Sequence, residues 1–185
     1  MQILTNITNT VMDLDRYKDG EDLRGFCRQF GLDGLELLPF GELGRGYIPK
    51  ELISGLHLTY FNCWVDYWKG NLKGIETEFD SYENALQIFK GGRQTIIDKY
   101  RAQLDFAEEL GAGYVVFHVS DVSLNESVSF NFLHSDEEVI DASLELINLM
   151  LEGRKPKLHF LVENLWWPGF NMTRPELTRR LIDGI

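Results

Sequence analysis

The sequence predicts an α/β fold built on a parallel sheet, and three observations predict it. Apolar runs of strand length alternate with segments of helical period from one end of the chain to the other. The helical segments carry their own start and stop signals, a Ser/Thr-x-x-Glu pattern in front or a glycine behind. No Pro/Gly/Ser-rich linker or low-complexity tract interrupts the 185 residues, so residues 1–185 read as a single domain.

Five strands are expected, at residues 3–7, 35–38, 56–61, 114–119 and 158–162. Between the first two, Leu23, Phe26, Cys27 and Phe30 repeat at i, i+3, i+4, i+7, and Gly31 supplies the stop. Residues 61–80 read as a long strand-to-helix loop holding Trp64, Asp66, Tyr67 and Trp68. A long helix follows over residues 93–110, with Ile97, Tyr100, Leu104 and Ala107 on one face and Gly111 after it. Ser135 and Glu138 form a capping box for a helix that buries Ile140, Leu144, Ile147 and Leu151, and Thr173 and Glu176 repeat that spacing before a last helix with Leu177 and Leu181.

The 18 Lys and Arg residues stand against 29 Asp and Glu, a formal net charge of −11. Such a surface repels phosphate backbones, which argues against nucleic-acid partners. No stretch approaches the roughly 18 consecutive apolar residues of a membrane helix, and the N-terminus lacks the basic flank and cleavage pattern of a signal peptide. Cys27 and Cys63 form neither a disulfide framework nor a CxxC metal site. A reducing, cytoplasmic setting is expected.

Strands covered on both faces are almost continuously apolar, so polar residues inside them need a reason. Side chains alternate across a strand, which sets Leu35 and Leu37 against Glu36, Leu56 and Leu58 against His57, Val115, Phe117 and Val119 against His118, and Phe160 and Val162 against Glu163. The apolar sets suit packing against helices; the others line the opposite face, which in a closed barrel is the interior. His118 and Glu163 also fall toward the C-terminal ends of their strands, where α/β proteins place their sites. A lone strand histidine is commonly a hydrogen-bonded core residue, but three such residues with matching parity make a ligand set for Zn²⁺, Mn²⁺ or Co²⁺. Trp64 and Trp68 follow the third strand and Trp166 and Trp167 the fifth; their flat faces suit a sugar or a lid, and equally the packing of one loop on another. Glu36 could instead pair with a basic residue, His159 reads as packing, His134 as exposed, and Asp121 as a helix or turn cap.

The stretches GLDGLELLP (31–39), SGLHLTYF (54–61), ELGAGYVVFHVSD (109–121) and FLVENLWWPG (160–169), in this order and spacing, resemble the xylose isomerase-like TIM-barrel superfamily, which includes sugar phosphate isomerases/epimerases and the endonuclease IV type of abasic-site nuclease. The resemblance implies a (β/α) TIM-barrel type fold with a divalent metal (Zn, Mn, Co or Mg) at the C-terminal mouth. It matches His57 to the strand-three histidine of the nucleases, His118 to the strand-four histidine, and Glu163 to the metal-binding glutamate of strand five. In the isomerases the last is also one half of an acid–base pair, and the two histidines more often contact substrate. The family's ligands on strands six to eight have no counterpart before Ile185, so the chain looks like about five of eight βα units.

The expected function is therefore that of a parent enzyme: metal-dependent isomerisation or epimerisation of a sugar or sugar phosphate, with Glu163 catalytic and metal-binding, His57 and His118 on metal or substrate, and Glu36 and the four tryptophans around the substrate. Catalysis by this chain alone is not expected without the second carboxylate. The alternatives are an abasic-site nuclease, which the charge opposes, and a non-catalytic truncated barrel module. An open barrel would leave Leu38, Val116 and Leu161 uncovered, at about 1.5–3 kcal/mol for each fully wetted side chain, so self-association through the open side is expected.

Overall fold

A computed structural model describes residues 1–40, 43–155 and 157–185. The strands are β1 (Leu4–Thr8), β2 (Gly34–Leu38), β3 (Ile53–His57), β4 (Tyr114–His118) and β5 (His159–Glu163). The helices are α1 (Val11–Leu14), α2 (Gly20–Phe30), α3 (Val65–Lys69), α4 (Leu72–Phe79), α5 (Tyr82–Phe89), α6 (Arg93–Leu110), α7 (Leu124–Ser129), α8 (Asp136–Leu151) and α9 (Pro175–Gly184). The chain divides into two compact units, one of residues 1–59, 102–117 and 155–161, the other of residues 60–101, 118–154 and 162–185.

The first unit holds β1 to β3 and most of β4 and β5, whose last residues belong to the second. The five strands lie in the order β1-β2-β3-β4-β5, and the first four pair in parallel. The fold is thus α/β, and the order never reverses: consecutive strands are neighbours, as in a βα barrel and unlike a doubly wound sheet, which has a switch point. Leu35, Leu37, Leu56, Leu58, Val115 and Phe117 are all buried, the apolar parity set that alternation selected. In α2, Asp19 caps the first turn by accepting from Glu21 N and Asp22 N, and Gly31 ends the helix in the left-handed conformation at φ 64°.

The third strand begins and ends earlier than its hydrophobicity suggests. Leu58 N still bonds Val116 O at 2.9 Å, but Thr59 N is taken by the side chain of Gln103 at 3.0 Å, so the ladder stops and His57 is the last strand residue. The interior-parity residues meet expectation only in part. Leu161 is 45% exposed, but Val116 is buried and Leu38 half-buried, while His159 is exposed rather than packed. β5 ends the strand order, so among the described residues its side chains have a strand neighbour on one side.

The second unit is mostly helical. Residues 61–80 are not a plain loop, because α3 and α4 occupy most of them. The start of α3 is capped from far along the chain: Asp121 Oδ1 accepts from Trp64 N at 2.6 Å and Val65 N at 3.1 Å, the orphan donors of a helix start. The capping box of α8 forms as the sequence indicates, between Ser135 and Glu138, and a second joins Ser123 and Glu126 at α7. Thr173 does not cap α9; Arg174 holds that position, because the Thr173 hydroxyl donates to Asn171 Oδ1 at 2.8 Å. No helix among the described residues is long and apolar enough to cross a membrane.

Candidate functional site

Three strands end on a residue of metal-binding type: β3 on His57, β4 on His118 and β5 on Glu163. In the first unit, His57 is buried at 6% exposure. Its Nδ1 lies 3.0 Å from Leu58 O, a contact that fixes the ring and directs Nε2 away from the backbone. Across the β3–β4 ladder His57 pairs with Val116, and Gly55 with Tyr114. The Tyr114 ring lies over Gly55 so closely that a Cβ there would meet Tyr114 Cζ at 2.1 Å. This lets the phenol reach one strand further and donate to Glu36 Oε2 at 2.8 Å. Glu36 is therefore held by a hydroxyl rather than by a base. Burial, followed by that carboxylate, pushes the Tyr114 hydroxyl well above the usual phenol range.

In the second unit, His118 Nε2 lies 3.1 Å from Glu163 Oε2. The Tyr60 ring stacks on the His118 imidazole, with centroids 4.5 Å apart and planes inclined by 18°, which fixes the imidazole's plane. The His118 side chain is 19% exposed and that of Glu163 42%, so solutes can reach the pair.

The tryptophans divide. Trp64 and Trp68 are buried and lie at the start and within the body of α3 rather than in a loop. Trp64 Nε1 donates to Ser120 O at 3.0 Å. Trp68 Nε1 donates to Glu145 Oε2 at 2.8 Å, and the Arg93 guanidinium covers its ring at 3.9 Å. These rings pack the unit. Trp166 is 77% exposed, and Trp167 is half-buried with ring centroids 6.3 Å from Phe130 and 6.5 Å from Phe132, so this pair keeps aromatic surface toward solvent.

His134 is a correction. Its side chain is 8% exposed and bridges two aspartates, with Nδ1 2.8 Å from Asp121 Oδ2 and Nε2 3.2 Å from Asp66 Oδ1; those carboxylates are 0% and 5% exposed. The hydrogen bond that the ring donates to Asp121, partly offset by burial and reinforced by both aspartate charges, raises the imidazole to about 9. The ring is an imidazolium at neutral pH.

Sequence reasoning missed Tyr60, Tyr114 and the partners of His134. Tyr114 was within reach, since it shares parity with His118 on the same strand. The Asp66–His134–Asp121 bridge had no comparable signal, because its three members come from segments related only by tertiary packing.

No protein-family model matches this chain, and no curated protein matches it. A solved structure described as a D-tagatose 3-epimerase-like protein is similar, with 13% identical residues and a TM-score of 0.49 over the whole of this chain. The chain spans 61% of that protein's length.

Proposed function

We propose that this chain carries the metal- and substrate-binding residues of a metal-dependent isomerase or epimerase acting on a sugar or sugar phosphate. The observation that carries the reading is the 3.1 Å approach of His118 Nε2 to Glu163 Oε2, an imidazole and a carboxylate at the C-terminal ends of parallel strands, where βα proteins collect their reactive groups. His57, at the end of β3, would add the second imidazole of the set. Two imidazoles and a carboxylate suit Zn²⁺, Mn²⁺ or Co²⁺.

A divalent ion held there would polarise a substrate carbonyl. Glu163 would remove and return the proton on the neighbouring carbon. His118, its plane set by Tyr60, would hold its ligand atom in place, and Glu36, engaged by Tyr114 at Oε2, would accept a substrate hydroxyl at Oε1. Trp166 and Trp167 offer flat faces to the C–H side of a sugar ring; Trp64 and Trp68, covered on all sides, offer none.

The test is proton exchange, a half-reaction that needs one carboxylate rather than the acid–base pair of the full isomerisation. Ketoses and ketose phosphates incubated with the protein and Mn²⁺ or Co²⁺ in D₂O are expected to gain deuterium beside the carbonyl by NMR, and Glu163→Gln to abolish the gain. Absence of exchange together with absence of Zn²⁺ binding would sink the proposal. Cleavage of abasic-site DNA without sugar exchange would assign the site to a nuclease instead.

A further inference from the structure

Within the second unit, α4 rests on a carboxylate. A Cβ built on Gly74 would fall 1.8 Å from Asp66 Oδ2, so only a glycine lets the helix backbone come this close. One turn later on the same side stands Glu78. Both of its carboxylate oxygens are shielded from solvent, and neither has a hydrogen-bond partner among the described residues.

The charges that act on Glu78 are those of Asp121 from the segment after β4, Asp66 from α3, Glu126 from α7 and His134 from the segment before α8. Cys63, ahead of α3, feels the same carboxylates, and its thiol is pushed up to about 12 by burial and by their charge. Lys73, on α4 itself, lines a neighbouring cleft with Asp66 and His134. The other three carboxylates already have donors. Asp66 Oδ1 accepts from Asn71 Nδ2 and faces His134. Asp121 takes two backbone amides and the imidazole. Glu126 takes Ser123 N and Leu133 N, each at 2.7 Å. With one imidazolium among three charged neighbours, a fourth charge on Glu78 would be buried without a donor. Burial first, then Asp121, Asp66 and Glu126, raise the Glu78 carboxyl to about 7, against the opposing pull of His134. A cleft of about 570 Å³ opens beside it, lined by Thr77 and Glu78 of α4 and by Ser123, Asn125 and Glu126 at α7.

We propose that Glu78 is a proton-operated latch: protonated, its carboxyl group stays packed against the surrounding carboxylates and holds α4 down; deprotonated, it releases its proton to water, turns out toward the cleft and loosens α4. The closed form binds the proton more tightly than the open form, in which Glu78 titrates near the ordinary 4.5. Opening is therefore favoured as pH rises from about 4.5 to about 7, by up to about tenfold per pH unit, and levels off above that, once both forms are ionised.

Amide hydrogen exchange of residues 72–79, corrected for the intrinsic pH dependence of exchange, tests this between pH 5 and 8.5. The wild-type protein is expected to lose about 10- to 100-fold protection between pH 5 and 7 and little more above. Glu78→Gln, which keeps the neutral shape at every pH, is expected to give a flat profile. Identical profiles for the two proteins would overturn the latch. A carbon-13 carboxyl titration of Glu78 in the wild type gives a second reading that needs no variant: a midpoint near 7 supports the proposal, and one near 4.5 overturns it.

Discussion

The Tyr114 hydroxyl donates to Glu36 Oε2 at 2.8 Å by passing its ring over Gly55, the residue paired with both of them in the parallel ladder. The bond puts both side chains on one face of the sheet, and strand alternation then places His118, four residues beyond Tyr114, on that face as well.

Tyr114→Phe keeps the ring over Gly55 and removes the donor. A hydrogen bond to a charged group contributes about 1.5–3 kcal/mol, so urea unfolding should show a loss in that range. Gly55→Ala should destabilise more than Tyr114→Phe, because its Cβ would displace the ring itself. Equal stability of Gly55→Ala and wild type would contradict the stacked arrangement.

His134 should titrate near 9 in the folded protein, read from its imidazole proton resonances. Its folded pKa is raised above the ordinary 6.5, so the bridge's contribution to stability is complete below about pH 6.5 and is lost as pH rises through 9. His134→Ala would leave two buried carboxylates without their cation, at a cost of about 3–5 kcal/mol. A midpoint of 6.5 would mean that the bridge does not form in solution.

Zn²⁺ titration by calorimetry should distinguish wild type from Glu163→Ala and His118→Ala. Each variant loses one donor of the proposed set, and affinity should fall by about tenfold or more. Circular dichroism shows whether each variant remains folded; a folded Glu163→Ala that titrates like wild type would remove Glu163 from the ligand set.

Leu161, at 45% exposure on the strand that ends the sheet order, should promote association between copies. Light scattering across a concentration series is expected to show growth in apparent mass, and Leu161→Glu to reduce it. A constant monomer mass for the wild type at high micromolar concentration would contradict this.

The sequence by itself determined the alternation of strands and helices, the apolar parity of Leu35, Leu37, Leu56, Val115 and Phe117, the span of α6 and the capping box at Ser135. Each of these rests on interactions within one segment, or on a face that must be buried wherever the segment docks. Tertiary structure alone decided the rest. Asp121 turned part of a loop into α3 by capping it from some 57 residues away in sequence. Gln103 ended β3 at His57 by claiming the next free amide. His134 became a buried imidazolium because Asp66 and Asp121 meet on its two nitrogens. A periodic pattern records which face is apolar, but not which distant donor or carboxylate will arrive to satisfy a buried polar atom, and that pairing sets the charge state of His134.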